Sequence, residues 1–235
     1  MESVANVRDL PPMRNRARVF ADRRGAGEVL ADMLREFGDS QAMVLAIPAG
    51  GVPVAAVIAN KLHLPLDVAV ASKITPPHNS EVGYGAVAFD GTVRLNEWLL
   101  PAFGLREPQV QRDIERTQQT VQRRVERFRR GHPAPDVCGR EVLLVDDGLA
   151  SGFTMRLAVE AVRKDEPTRI IVAVPTAHRQ TVRRLTRQAD AIVCPNIRSE
   201  LHFAVADAYR NWQDVSEDEV ARILQAAARH GRRAG

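Results

Sequence analysis

The chain has only two cysteines in 235 residues, Cys138 and Cys194, far apart and without metal-ligand spacing. Two cysteines are too few for a multi-bridge framework and lack thiolate metal spacing; they are read as a single disulfide or as two reduced thiols in a cytoplasmic protein, the second being the expectation. Aromatic residues are scarce, at 5%, and are not interleaved with the basic ones, which argues against a nucleic-acid surface. No apolar run approaches the roughly 20 residues that span a bilayer, so no membrane partner is expected. The N-terminus lacks the apolar stretch of a secretion signal. No Gly-Lys-Ser/Thr closes a Walker loop and no Gly-x-Gly-x-x-Gly dinucleotide fingerprint occurs. Internal repeats and low-complexity segments are absent as well.

What is present is a chain long enough for a real core. With 45% hydrophobic and 26% charged residues it has a soluble globular composition. The net charge is +4, and arginine supplies nearly all of the basic side chains. Such a balance suits a phosphate-rich small ligand or simply solvated helix faces.

The most informative stretch runs from Val142 to Thr154, Val-Leu-Leu-Val-Asp-Asp-Gly-Leu-Ala-Ser-Gly-Phe-Thr. Four consecutive apolar residues suit a parallel strand covered on both faces. Asp146 and Asp147 fall at its carboxyl end, the edge where open α/β sheets bind ligands. Neighbouring strand residues point to opposite sides, so the two aspartates need not do the same job. Gly148, Ala150, Ser151 and Gly152 leave room for a ligand to approach the backbone. Thr154 opens a helical pattern at Leu157, Ala158, Ala161 and Val162. Free N–H groups at that helix start form an anion site, to which Ser151 and Thr154 can add hydroxyls.

Along the chain, residues 1–24 carry no periodicity and read as an N-terminal arm. Asp22 is a candidate cap for a helix from Gly25 to Phe37, which Gly38 ends. Met43 to Ile47 reads as a strand, Pro48-Ala49-Gly50-Gly51 as a tight turn and Val52 to Leu62 as a helix. Leu66 to Ala71 is a further strand, with Lys73 just beyond it. Thr75 to Gly85 is a loop with His78 and Glu81 as titratable members. Tyr84 to Phe89 and Thr92 to Leu95 form a hairpin turning at Asp90-Gly91. Residues 107–130 make a long polar helix with a narrow stripe of Val110, Ile114, Val121, Val125 and Phe128. Strands at 168–174 and 189–194 flank a helix at 178–188, and a last helix starts near Ser216 with capping-box spacing to Glu219. This alternation predicts a doubly wound, mostly parallel α/β sheet with a Rossmann-like core.

Two further segments sit at the predicted ligand edge. Ala49-Gly50-Gly51 is read either as an anion loop or as a plain strand-to-helix turn. Lys73 offers a point charge to an anion or is an exposed strand-end lysine. The arginines of helix 107–130 form a cationic wall, an oligomer contact or a solvated face. Arg198 and Phe203 are read as base contacts or as a surface turn and a core residue.

The 142–154 string closely resembles the phosphoribosyl pyrophosphate motif of type I phosphoribosyltransferases, and the N-terminal half is similar to an uncharacterised bacterial and archaeal subgroup of that family. The resemblance spans residues 20–225 and implies that 25–235 is one phosphoribosyltransferase-like domain, with a flexible loop and hairpin and a small hood built from the termini. It implies transfer of phosphoribosyl from 5-phosphoribosyl pyrophosphate to a nitrogenous acceptor, a base or amine that the sequence does not identify. Asp146, Asp147 and Lys73 are then the catalytic set, with the two aspartates on the ribose hydroxyls. They are also the side chains implied for Mg2+, which neutralises the pyrophosphate. The backbone of Gly148, Leu149, Ala150, Ser151, Gly152, Phe153 and Thr154 cradles the 5-phosphate, and Ala49, Gly50 and Gly51 form the pyrophosphate loop. Many relatives carry a basic residue where this chain has Ala49. Enzymes for 6-oxopurines usually carry an aspartate in place of Ala150, which disfavours hypoxanthine or guanine. The loop 75–85 is the implied mobile flap. Homodimers are common in the family, so a homo-oligomer is expected. Two other classes share the fold: a regulator that senses phosphoribosyl pyrophosphate and binds nucleic acid, and a noncatalytic interaction protein.

Overall fold

The computed structural model describes residues 7–76 and 83–231. In chain order its strands and helices are β1 (Val7–Arg8), α1 (Arg23–Met33), β2 (Met43–Ala46), α2 (Gly51–Leu62), β3 (Leu66–Val68), β4 (Ala71–Ile74), β5 (Gly85–Ala88), β6 (Val93–Leu95), α3 (Glu107–Arg129), β7 (Glu141–Val145), α4 (Phe153–Arg163), β8 (Arg169–Ala173), β9 (Thr176–His178), α5 (Arg179–Leu185), β10 (Ala191–Val193), β11 (Asn196–Arg198) and α6 (Glu217–Gly231).

Six strands form a fully parallel sheet in the order β1-β10-β8-β7-β2-β3. Strand β2 continues outward through α2 to β3, while β7 continues the other way through α4 to β8. The order therefore reverses between β2 and β7, the switch point where such sheets bind ligands. Period-two alternation splits the sheet between two cores. Val44, Ala46, Leu143 and Val145 face α1, α2, α3 and α6. Met43, Leu45, Val142 and Leu144 face α4 and α5. Val142 to Val145 have no solvent exposure at all, which is why the motif strand reads as a continuous apolar run. Burying each of these side chains stabilises the fold by about 1.5–3 kcal/mol.

Local signals act as expected. The Asp22 carboxylate accepts from Gly25 N–H at 2.9 Å and starts α1, and Ser216 Oγ accepts from Glu219 N–H at 3.2 Å before α6. Helix α1 ends at Met33, earlier than its periodicity implies, because a 3-10 turn at Arg35–Phe37 takes over. The hairpin β5–β6 turns at Asp90-Gly91.

Three expectations need correction. The single strand 66–71 is two: Leu66–Val68 closes the main sheet, and Ala71–Ile74 leaves it to pair antiparallel with β5. Lys73 thus lies within a strand of the second sheet, not after a strand of the first. A two-stranded parallel sheet of β9 and β11 follows β8 and β10 and was not expected. Part of segment 1–24 is built into the domain: Val7–Arg8 pairs with β10, and Phe20 is buried against Tyr209. Backbone bonds from Arg18 and Phe20 to Asp207 and Ala208, and from Arg210 and Asn211 back to Phe20 and Ala21, join the two terminal segments in a small hood.

Helix α6 is clamped to α3 by Glu217. Its carboxylate meets Arg123, Arg124 and Arg127 at 2.8–3.0 Å. Those guanidiniums, Arg123 first, pull the Glu217 carboxyl down from its ordinary 4.5 to about 2. A carboxyl with a depressed folded-state value adds stability that is complete above about pH 4.5 and lost as pH falls toward 2. Glu217→Gln should therefore lower stability by about 1 kcal/mol at pH 7, the scale of partly exposed pairs. Urea unfolding from pH 7 to pH 3 should show that deficit shrinking on acidification; a constant deficit would mean the clamp is not electrostatic.

Candidate functional site

The ends of β2 and β7 set the site. Ile47 N–H donates to the Val145 carbonyl at 2.8 Å, so the chain leaving β2 runs beside the chain leaving β7. The first loop turns through Pro48, Ala49 and Gly50, with a cis Pro48–Ala49 peptide, into α2. It lies so close to the second that a Cβ on Gly50 would overlap the Asp147 carboxylate, and one on Gly51 would sit 2.7 Å from the Val145 carbonyl. The two glycines are required by this close approach.

The adjacent carboxylates then diverge. Asp146 lines a cavity of about 460 Å³ together with Pro48, Lys73, Arg116, Arg124 and Thr154. Its Oδ1 accepts from Asp147 N–H at 2.8 Å. Burial, then the neighbouring Asp147 charge, pushes the Asp146 carboxyl well above the usual carboxylate range. Asp147 turns to the hood side, where its Oδ2 receives Arg23 Nε at 2.8 Å. Burial raises the Asp147 carboxyl too, against the pull of Arg23. The Asp147 carbonyl accepts from Tyr209 O–H at 2.5 Å. Arg23 itself lies 3.8 Å from the Trp212 ring centre and donates to the Gln213 carbonyl at 2.6 Å.

The loop from Gly148 to Gly152 is held on one side and open on the other. Leu149 is buried, its N–H donates to the Thr176 carbonyl at 2.9 Å, and its carbonyl accepts from His178 N–H at 3.0 Å. Gly148 packs tightly on Val205 and Thr176. Leu149 N–H is therefore spent and cannot join a phosphate cradle, a correction to the full 148–154 assignment. Ala150 and Ser151 are exposed, and Ser151 Oγ accepts from Phe153 N–H at 3.4 Å. Gly152, with φ +67, turns the chain into α4. Among the described residues no protein acceptor meets the N–H groups of Ala150, Ser151, Gly152 and Thr154. These four donors lie in the loop and first turn leading into α4, an arrangement that suits an anion.

Lys73 is exposed and reaches the cavity from β4. Ala49 is partly exposed at the loop beside Pro48. Arg198 lies away from the cavity. It is buried, donates to the Arg16 carbonyl at 3.1 Å and sits 5.7 Å from the Phe203 ring. His78 and Glu81 fall outside the described residues. Sequence reasoning missed Arg23, whose partner is 124 positions away. Of the arginines of helix 107–130, read as a cationic wall, an oligomer contact or a solvated face, Arg116 and Arg124 line the cavity.

A doubly wound sheet with a carboxylate, a helix start and a lysine lining one cavity at its switch point defines an α/β protein with a candidate ligand site at that edge. The phosphoribosyl transferase domain model matches residues 21–210, and the chain belongs to that family. A Mycobacterium tuberculosis protein named "Putative phosphoribosyl transferase" is 37% identical over 219 residues, 93% of this chain and 49% of that one. The chain thus spans about half the length of the curated relatives it matches. The crystal structure of TT1426 from Thermus thermophilus matches with a TM-score of 0.71 and 35% identity, over 88% of this chain and 98% of that one. The family and fold expected from the 142–154 string are borne out. No helix among the described residues is long and apolar enough to cross a membrane.

Arg23 is the sole cation paired with Asp147 among the described residues. Arg23→Ala should destabilise the fold by about 2–4 kcal/mol at neutral pH, since a carboxylate loses its partner inside the protein. Without Arg23 the Asp147 carboxyl rises further. A carboxyl raised in the folded state leaves stability complete below about pH 4 and removes it as pH climbs through the folded value. Unfolding midpoints of variant and parent should converge near pH 4 and separate toward pH 8. A gap that does not change with pH would show that Arg23 matters only by packing on Trp212.

Proposed function

We propose that this protein transfers phosphoribosyl from 5-phosphoribosyl pyrophosphate to a nitrogenous acceptor with release of pyrophosphate. The observation that carries the reading is Asp146 sharing one cavity with Thr154, at the unsatisfied start of α4, and with Lys73. A ribose 5-phosphate needs acceptors for its hydroxyls and donors for its phosphate, side by side. Asp146 supplies the first, and the N–H groups of Ala150, Ser151, Gly152 and Thr154 supply the second. Lys73 faces the leaving group.

In the reaction the C1–O bond to pyrophosphate breaks and the electron pair leaves with pyrophosphate. The nitrogen lone pair of the acceptor forms the new C1–N bond, and its proton passes to solvent. Positive charge grows on the sugar ring and negative charge on the leaving group. The protein's share is to orient the ring through Asp146, anchor the phosphate on α4 and hold preorganised donors where charge develops. Asp147 acts through position, with Arg23 on its carboxylate and Tyr209 on its carbonyl fixing the loop.

Magnesium fits the donors present. Among the described residues no group of three or more His, Cys, Asp or Glu side chains could hold a metal alone. A buried carboxylate pair with one guanidinium suits an ion that binds by one or two carboxylates plus substrate oxygens. When bound, Mg2+ would neutralise charge on the pyrophosphate, with Asp146 as the cavity-facing ligand and Asp147 behind it.

The test is calorimetric titration of 5-phosphoribosyl pyrophosphate with magnesium, followed by a pyrophosphate-release assay over a panel of bases and amines. Asp146→Asn should weaken binding at least tenfold while leaving a folded protein, because the side chain loses its charge and one of its two acceptor oxygens becomes an amide donor. A folded parent protein that binds no phosphoribosyl pyrophosphate would overturn the reading.

A further inference from the structure

Helix α3 also lines the cavity that holds Asp146 and Thr154, and the residues it presents form one stripe. Arg116, Thr120 and Arg124 recur every four residues and so share a face. Both arginines are anchored to the strand that carries Lys73. Arg124 Nη1 donates to Ser72 Oγ at 3.2 Å, and Arg116 Nη2 donates to the Thr75 carbonyl at 3.1 Å. Lys73 lies between these anchors in sequence, so three cations from two elements line the cavity that Pro48 also borders.

Their charge is only partly consumed inside the protein. Arg123, Arg124 and Arg127 face just two carboxylates, Glu217 and Asp218. Arg116 meets Asp113 at 2.8 Å, but Asp113 also accepts from Tyr84 O–H at 2.9 Å. Among the described residues, Arg116 Nε and Nη1 and Arg124 Nη2 have no protein acceptor. Meanwhile the loop from Pro48 to Gly51 carries no charged side chain at all.

We propose that Arg116 and Arg124, with Lys73, bind the pyrophosphate leaving group, so that α3 supplies the charge that the Pro48–Gly51 loop lacks. The proposal rests on the transferase reading above. Planar guanidinium forks match phosphate oxygens with paired hydrogen bonds, and a lysine adds a point charge. Negative charge on pyrophosphate increases as the C1–O bond breaks, so cations on it act mainly in the transition state. Thr154 and Asp146, from other elements around the same cavity, hold the ribose 5-phosphate half. The two halves of the substrate thus rest on different elements and can be tested separately.

Inorganic pyrophosphate with excess magnesium, and separately ribose 5-phosphate, are titrated into the parent protein and into Arg116→Ala, Arg124→Ala, Arg124→Lys and Glu217→Gln. Pyrophosphate affinity should fall at least tenfold in each alanine variant and recover in part in Arg124→Lys, with ribose 5-phosphate affinity unchanged throughout. Glu217→Gln loosens the α3–α6 clamp yet keeps every arginine, and should hold pyrophosphate within about twofold of the parent. Alanine variants that bind pyrophosphate like the parent would overturn the proposal, as would Glu217→Gln weakening it as much as Arg124→Ala. A parent that binds ribose 5-phosphate but not pyrophosphate would overturn it and leave the sugar-phosphate site standing. A parent that binds neither would remove both readings.

Discussion

Everything around the site depends on how closely two strand-end loops approach at the β2–β7 switch point. Parallel register puts Ala46 beside Val145, and the chain beyond each has nowhere to go but past the other. Only glycine at 50 and 51 permits that passage. Because Gly50 lies on the Asp147 carboxylate, that group is shut off from much of its water and needs a cation. Arg23 supplies it from the first residue of α1. Arg23 in turn lies on the Trp212 ring, and Tyr209 reaches the Asp147 carbonyl. One steric constraint in the sheet thus draws both terminal segments of the domain down onto the same aspartate.

The alternation of a strand divides the work of the two carboxylates. Asp146 opens to the cavity and Asp147 to the hood. Their charges repel across one peptide unit, and both carboxyls are raised by burial. Arg23 opposes the rise at both, as the direct partner of Asp147 and at longer range for Asp146. Asp146 faces a cavity that Lys73, Arg116 and Arg124 also line.

The sequence was most legible where the signal is local. The apolar run 142–145, the Asp22 and Ser216 caps and the Asp90-Gly91 hairpin each depend on residues within a few positions, and each is found in the fold. Leu66 to Ala71 was misread because an unbroken apolar run does not mark where a chain leaves one sheet for another. Strands β9 and β11, three residues each, are too short to show a period. Arg23 could not be singled out among neighbouring arginines, since its role is set by a partner far along the chain. On helix α3, Asp113 and Thr117 are polar yet buried; Tyr84, at the start of the hairpin, and Arg116, one turn on along the same helix, meet the Asp113 carboxylate.

The same electrostatics link ligand affinity to stability. Folding brings the Asp146 and Asp147 carboxyls together in a partly dry crevice, and their raised values mean that the ionised pair opposes folding at neutral pH. A bound cation, or a ligand that donates to Asp146, relieves that opposition and is favoured by the free energy released. The glycine contacts and the Arg23 clamp hold the loops in place while that opposition persists. The crevice is built from these contacts within the chain, with the Asp146 carboxylate and the helix-start donors already in position.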